Sequence, residues 1–407
     1  MPTLFQINVV ANWGSTGRIA EEIGLSAIMN GWNSYIAYGR SMNKSRSHLI
    51  RIGTKWDFCW HTLQTRLFDR HGLSSKRATR RLVQEIERIK PDIIHLHNIH
   101  GYYINYKILF KYLADQNIPV VWTLHDCWNF TGHCSHFISI GCYRWKTGCF
   151  SCPLKYGYPN SWIVDRSRRN YEDKKAAFTS ISNLVFVPVS VWLGNFLKDT
   201  FMKGYPVHRI YNGVDINIFH PIVSKTDTLL PYDNIKKRFI ILAVASVWTV
   251  SKGYEDIKKL HALLTNDCVI IVVGLNKEQL KDIPVGIIGI ERTESVQQLS
   301  ELYSVADVFI NPTYSDSFPT TNIEALACGT PVITYRTGGS VEAVSEDTGL
   351  IVAQGDLSGL QKAIYTIKKN GKCFYTKACR SRAVTLFNKN DRYQEYVDLY
   401  NQLLDKK

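Results

Sequence analysis

Short, continuous apolar runs alternate with stretches of helical periodicity along nearly the whole chain, and this pattern limits its fold more than any other feature. Strands buried on both faces read as unbroken Val/Ile/Leu runs, and the helical stretches between them cover the sheet. The runs at 5–10, 34–38, 93–96, 120–124 and 184–189 form one series, and those at 239–246, 269–274, 285–290, 308–311 and 332–335 form a second. Between them, 216–237 carries no periodicity; its Pro/Asp/Lys-rich part, 221–237, reads as a linker. The chain is therefore expected to be α/β, with two doubly wound, Rossmann-like lobes at 1–215 and 238–390. Tyr393, Tyr396, Leu399 and Leu403 fall at helical spacing and predict a terminal amphipathic helix over 391–407. A length of 407 residues suits two cores of roughly 150–200 residues each. Doubly wound sheets bind ligands beyond the carboxyl ends of their strands, so function is expected in the loops there, facing an interlobe cleft.

Composition narrows the partners. Apolar residues at 45% and charged residues at 21% describe a folded chain rather than a disordered one. The opening stretch from Met1 to Val10 lacks a basic leader region, and no apolar run approaches the ~18–20 residues that span a bilayer. A cytoplasmic location is expected. The net charge of +14 is consistent with an anionic membrane surface or a polyanionic small substrate. Two basic clusters, Lys76-Arg77 with Arg80-Arg81 and Arg166 to Arg169 with Lys174-Lys175, would support peripheral attachment at the inner face of the plasma membrane; a solvated helix face is the other reading. Aromatics do not interleave with these clusters and no nucleic-acid-binding motif is present, so no nucleic-acid partner is expected.

The densest local signal is the segment 306–333. It reads as a buried strand, a loop, a short helix starting near Thr321, a glycine stop at Gly329 and a return strand after Pro331. Free backbone N–H groups at that helix start would make an anion site fit for a diphosphate. Seven residues separate Asp316 from Glu324. Taken alone, Thr321 to Glu324 has the form of a capping box and Asp316 could close a turn.

This stretch resembles the Glu-x7-Glu element of glycosyltransferase family 4, retaining enzymes of GT-B architecture. Further segments agree in order: Tyr211-Asn212-Gly213-Val214-Asp215 with Phe219-His220-Pro221, Val244 to Trp248 leading to Ser251-Lys252-Gly253, and Gly338-Gly339 with Glu342. The similarity covers almost the whole chain and is greatest to bacterial capsule, O-antigen and exopolysaccharide enzymes. It implies Lys252, Asp316, Glu324 and His125 as the catalytic set. Lys252 would meet the leaving diphosphate, Glu324 the ribose, and Asp316 a hydroxyl of the transferred sugar, which His125 would reach from the opposite lobe. Ser317, Phe318, Pro319, Thr320 and Thr321 would line the donor site. Two positions depart from the family: its first glutamate is Asp316, and its phosphate-binding arginine is Val247. Arg18 or Arg292 would supplement Lys252.

In the first lobe, Gly14 and Gly17 stand where a strand turns into a helix pattern beginning at Ile19, and Arg18 follows them. Glycine there lets the backbone approach a ligand. The resemblance assigns this loop to donor phosphate and acceptor. It likewise singles out His125, next to Asp126, which could influence its orientation; His97 and His100 are weaker candidates for acceptor contacts. Cys134, Cys142, Cys149 and Cys152 fall within nineteen residues, in an insertion near 130–155. In a reducing compartment this grouping favours a structural zinc over disulfides, although only Cys149 and Cys152 have Cys-x-x-Cys spacing.

The reading is a transferase that moves a sugar from a UDP- or GDP-sugar to a saccharide or lipid-linked acceptor, without a catalytic metal since no Asp-x-Asp stands at a matching strand end. A non-catalytic nucleotide-sugar-binding subunit is the alternative. A dinucleotide oxidoreductase shares the sheet but would need a glycine fingerprint that is lacking.

Overall fold

The computed structural model describes residues 1–222 and 237–406. Most of the expected linker lies outside the described residues. The chain forms two compact units, Met1–Tyr211 with Arg392–Lys407, and Asn212–Asp391.

The first unit has a six-stranded sheet in the order β3-β2-β1-β4-β5-β6, with every pairing parallel. Its strands are β1 (Thr3–Asn8), β2 (Asn33–Tyr38), β3 (His48–Arg51), β4 (Ile93–Leu96), β5 (Val120–Leu124) and β6 (Leu184–Pro188). Helices α1 (Gly14–Met29), α2 (Lys55–Phe68), α3 (Lys76–Ile89), α4 (Tyr106–Ala114), α5 (Ser167–Phe178) and α6 (Val191–Leu197) form the crossovers. Strands β4, β5 and β6 are buried throughout, which is why they read as unbroken apolar runs. Strand β3 was not expected: it is a four-residue edge strand with both ends exposed, too polar to stand out.

The second unit repeats the plan, with the order β12-β11-β10-β7-β8-β9. Its strands are β7 (Phe239–Val244), β8 (Cys268–Val273), β9 (Ile287–Ile290), β10 (Val308–Asn311), β11 (Val332–Tyr335) and β12 (Gly349–Val352). Helices α7 (Tyr254–His261), α8 (Lys277–Asp282), α9 (Val296–Val305), α10 (Thr320–Ala327), α11 (Leu357–Asn370) and α12 (Lys372–Phe387) flank them. Both sheets reverse direction beside their first strand, so the loops after β1 and β4 and those after β7 and β10 open at switch points.

Two boundaries differ from the sequence reading. Residues 212–215 join the second unit: Val214 N–H donates to Phe387 O at 2.7 Å and Asp215 pairs with Lys389 at 2.8 Å. Gly213 permits this approach, since a Cβ there would stand 2.5 Å from Lys389 Cα. From Arg392 on, the terminal helix α13 (Lys389–Leu404) belongs to the first unit, where Tyr393, Tyr396, Val397 and Tyr400 pack against Leu4, Ile23, Trp32, Ile93 and Val121. Its apolar stripe covers the sheet on which the chain began.

Candidate active site

In the second unit, the loop after β7 ends in a tight turn carrying Lys252, and the loop after β10 carries Asp316. Tyr314 N–H donates to Ser251 O at 2.8 Å, and Thr313 Oγ1 donates to the same carbonyl at 3.3 Å, so the two loops are tied together. Gly253 adopts φ 77°, and any Cβ would lie 2.1 Å from Pro312 O; only glycine lets the chain turn there. Lys252 Nζ consequently reaches Asp316 Oδ2 at 2.6 Å, with both side chains partly open to solvent. Asp316 is fixed from the other side as well. Its Oδ1 accepts from Phe318 N–H at 3.2 Å, and its carbonyl accepts from Gly339 N–H at 3.1 Å. Gly338, at φ 51°, rests on that carbonyl, which a Cβ would meet at 1.9 Å. The Gly-Gly pair thus holds the Asp316 loop.

Helix α10 begins at Thr320, one residue earlier than expected. Pro319 precedes it without a side-chain cap, so Thr321 and Glu324 do not form the capping box their spacing allowed. Its first N–H groups are therefore left for another acceptor. Glu324 is buried, and its Oε2 accepts from Tyr303 Oη–H at 3.0 Å. The hydroxyls of Ser315 and Ser317 are buried without a hydrogen-bond partner among the described residues. Phe318 packs its ring on Phe387, at 5.6 Å between centroids, which turns it into the core rather than toward a ligand. Thr320 and Thr321 are half-buried at the helix start. Asn322, which sequence reasoning passed over, links Asn311 (2.8 Å) and Ser340 (3.0 Å) in a buried network. The signal available was an asparagine closing an otherwise apolar strand. Val247 is 64% exposed, and Arg292 is exposed in the loop after β9.

In the first unit, α1 starts at Gly14, so Gly17 and Arg18 lie within its opening turns rather than before it. Gly17 faces Val10 and the Asn12 N–H, where a Cβ would be crowded at 3.0 and 3.2 Å. Arg18 is exposed and makes no ion pair among the described residues.

His125, at the end of β5, is half-buried, and burial pushes its ring down to about 4, so it is neutral near pH 7. Its orientation comes from His97 and not from Asp126: His97 Nδ1 lies 3.1 Å from His125 Nε2. Burial opposes the Asp126 charge, but the His100 ring at 2.8 Å and the Trp128 N–H at 2.9 Å hold the carboxyl down at about 2. The expected substrate contacts of His97 and His100 do not match these positions. Both residues are buried; His97 bonds His125 and Gln6, and His100 bonds Asp126 and Tyr158, engaging every ring nitrogen. Gln6 was missed by sequence reasoning, although a glutamine in the middle of a buried strand was a visible anomaly.

In the cysteine-rich insertion, where the sequence reading expected a structural zinc, the four cysteines are neighbours of one another. The Cys134 thiol hydrogen-bonds to Cys152, which lowers the latter's titration. Cys149 Sγ instead accepts from Gly132 N–H at 3.1 Å. Among the described residues no group of three or more His, Cys, Asp or Glu side chains is arranged to hold a metal ion. The insertion is anchored by Lys174, whose buried ammonium donates to Trp128 O (2.6 Å) and Thr131 O (2.9 Å) above the Trp128 ring. Burial pushes this amine down to about 7, and it is removed from the surface cluster expected for membranes.

Two matched Rossmann-like units, each a parallel six-stranded sheet covered by helices, are the architecture of the GT-B class of glycosyltransferases. Known proteins agree. The model of the family "Glycosyltransferase Family 4" matches residues 57–218, and that of "Glycosyl transferases group 1" matches residues 238–370. The chain belongs to these glycosyltransferases. It is 24% identical to a putative colanic acid biosynthesis glycosyl transferase, WcaC, of Escherichia coli, over 98% of this chain and 100% of that protein. An N-acetylgalactosaminyltransferase of Campylobacter jejuni acting on N,N'-diacetylbacillosaminyl-diphospho-undecaprenol is 25% identical over 56% of this chain and 63% of its own. Among solved structures, the sucrose-phosphate synthase of Thermosynechococcus elongatus shares the fold with a TM-score of 0.74 at 17% identity, all of both chains being covered.

Proposed function

We propose that the protein transfers a sugar from a UDP- or GDP-sugar to a saccharide or lipid-linked acceptor in bacterial polysaccharide assembly, with retention at the anomeric carbon. The observation that carries this reading is the Lys252–Asp316 pair at 2.6 Å beside the uncapped start of α10. When the sugar–phosphate bond breaks, negative charge grows on the departing diphosphate; Lys252 and the α10 N–H groups are cations and donors suited to it. The unpartnered Ser315 and Ser317 hydroxyls add donors in the same loop. Asp316 is assigned to a sugar hydroxyl, Glu324 to the ribose, and His125 of the first unit to a sugar hydroxyl. The acceptor oxygen forms its bond to the anomeric carbon on the face the diphosphate leaves, and its proton passes to a leaving-group oxygen. These positive groups take the place that a divalent cation would fill. Anabaena HepE, solved in complex with UDP-glucose and similar to this chain with a TM-score of 0.66 at 14% identity, and the colanic acid relative support the donor and pathway classes.

The test is turnover of nucleotide sugars without acceptor. Slow release of UDP or GDP that survives EDTA supports the proposal. A protein that binds the nucleotide sugar but releases none, or one that needs added magnesium or manganese, overturns it.

The acceptor side is assigned to an anionic membrane surface. No helix among the described residues is long and apolar enough to cross a membrane. The first unit nonetheless exposes Trp56 and Trp60 on α2 and Trp162 with Ile163 beside it, and Trp162 N–H is bonded to Arg66 O at the end of α2. Lys76, Arg77, Arg80 and Arg81 are exposed on α3, which starts against α2 through a 2.8 Å His61–Ser75 contact. Exposed tryptophans with adjacent cations suit the headgroup region of a bilayer.

A further inference from the structure

We infer that Gln6 and His97 are positioning residues that fix the tautomer of His125, so that its ring presents a bare Nδ1, a hydrogen-bond acceptor, to the ligand. The tautomer follows from the hydrogen bonds alone. The Gln6 amide Nε2 donates to Ala20 O at 2.8 Å, which leaves Oε1 as the atom facing His97. That oxygen, 3.0 Å from His97 Nε2, can only accept, so the His97 proton sits on Nε2. His97 Nδ1 is then a lone pair, and its contact with His125 Nε2 at 3.1 Å requires the proton to be on His125 Nε2. The reverse order would set two acceptors against each other, at His97 Nε2 and Gln6 Oε1 or, with the amide turned over, at Gln6 Oε1 and Ala20 O. A second proton on His97 is opposed by full burial between the rings of His95 and His125, whose centroids lie 4.1 and 5.4 Å away.

His125 Nδ1 is not among the buried unpartnered atoms, and no protein donor reaches it among the described residues. It is therefore the ring atom left for a ligand, and its chemistry selects a donor: a hydroxyl, not a carbonyl or a phosphate oxygen. The neighbouring row has the same logic. Thr123 Oγ1 donates to Tyr396 Oη at 3.1 Å, so it accepts from His95 Nε2–H at 2.8 Å, and His95 Nδ1 accepts from Tyr400 Oη–H at 2.6 Å. Identification of the hydroxyl as one on the sugar rests on the proposed function; the tautomer does not.

Full-length protein carrying nitrogen-15 histidine tests this through long-range proton–nitrogen correlation near pH 7, with His125 assigned by its loss in His125→Gln. The expected spectrum shows His125 with a protonated Nε2 and a bare Nδ1 resonating far downfield. In Gln6→Leu the acceptor for His97 is gone, the His97 proton moves to Nδ1, and His125 switches to the Nδ1–H pattern. Gln6→Glu keeps an acceptor toward His97 and restores the wild-type pattern. With a working donor, Gln6→Leu should lower kcat roughly tenfold, because a donor now meets the hydroxyl's proton, and Gln6→Glu should recover it. An Nδ1–H pattern in the wild-type protein, readable whether or not a variant folds, overturns the inference, as does an unchanged His125 pattern in folded Gln6→Leu. A protein with the expected tautomers that transfers no sugar keeps the relay and removes the assigned reaction instead.

Discussion

Lys252 shows how residue-scale geometry depends on its neighbours. The Lys252–Asp316 pair is partly exposed, so its attraction is screened and adds little to stability. In the proposed reaction its role is to place an ammonium where the diphosphate departs. Lys252→Ala is expected to keep the fold and lower transfer about ten- to a hundredfold, the equivalent of ~1.5–3 kcal/mol for a charge-assisted contact. Steady-state kinetics at saturating nucleotide sugar would check it; a wild-type rate removes Lys252 from the reaction. Glu324 needs a gentler substitution. Alanine would leave the buried Tyr303 hydroxyl without its 3.0 Å acceptor, so lost binding and lost stability would be mixed.

Among the elements, α13 shows most clearly how sequence distance misleads. Its periodicity predicted an amphipathic helix but not what it would cover. The structure seats it on the first unit, some three hundred residues back in the chain, with Tyr400 Oη on His95 Nδ1. Tyr400→Phe should leave that nitrogen buried without a donor and lower the stability of the first unit by about 1–3 kcal/mol. Urea unfolding followed by far-UV circular dichroism would show the midpoint falling; an unchanged midpoint would mean that the contact contributes nothing net. Helix α2 is the converse case. Its Thr54–Asp57 capping box is a local feature, whereas the outward turn of Trp56 and Trp60 depends on what the rest of the unit leaves uncovered.

At the scale of the whole molecule, the positive charge acquires a location. With Lys174 buried in the insertion, the cations open to a membrane are those of α3 together with the remaining exposed ones near Arg168 and Arg169. Vesicles of anionic lipid should sediment the protein at low salt, and high salt should release most of it, since each cation near the surface contributes about 1 kcal/mol and is screened within a Debye length. Trp56→Ala with Trp60→Ala should weaken what remains at high salt. Equal binding to neutral and anionic vesicles would refute the electrostatic part.

The sequence by itself determined the α/β class, both sheets' central strands, the Gly-Gly pair under Asp316 and the identity of the motif residues, because apolar period and glycine conformation are local properties of the chain. It also carried the residues of the candidate site in the second unit, since loops that follow adjacent strands meet wherever the sheet forms. Only tertiary structure decided the rest. The four cysteines were near one another in sequence, and packing decides which partner each sulfur takes, Cys134 pairing with Cys152 and Cys149 with a backbone N–H. His97 and His100 were weaker candidates beside His125, and strand register buries both and leaves one nitrogen of His125 open. Which atom of a side chain faces a ligand depends on the partners that claim its other atoms. Those partners, from Gln6 to Tyr400, come from strands and helices far apart in the chain, and only packing brings them together.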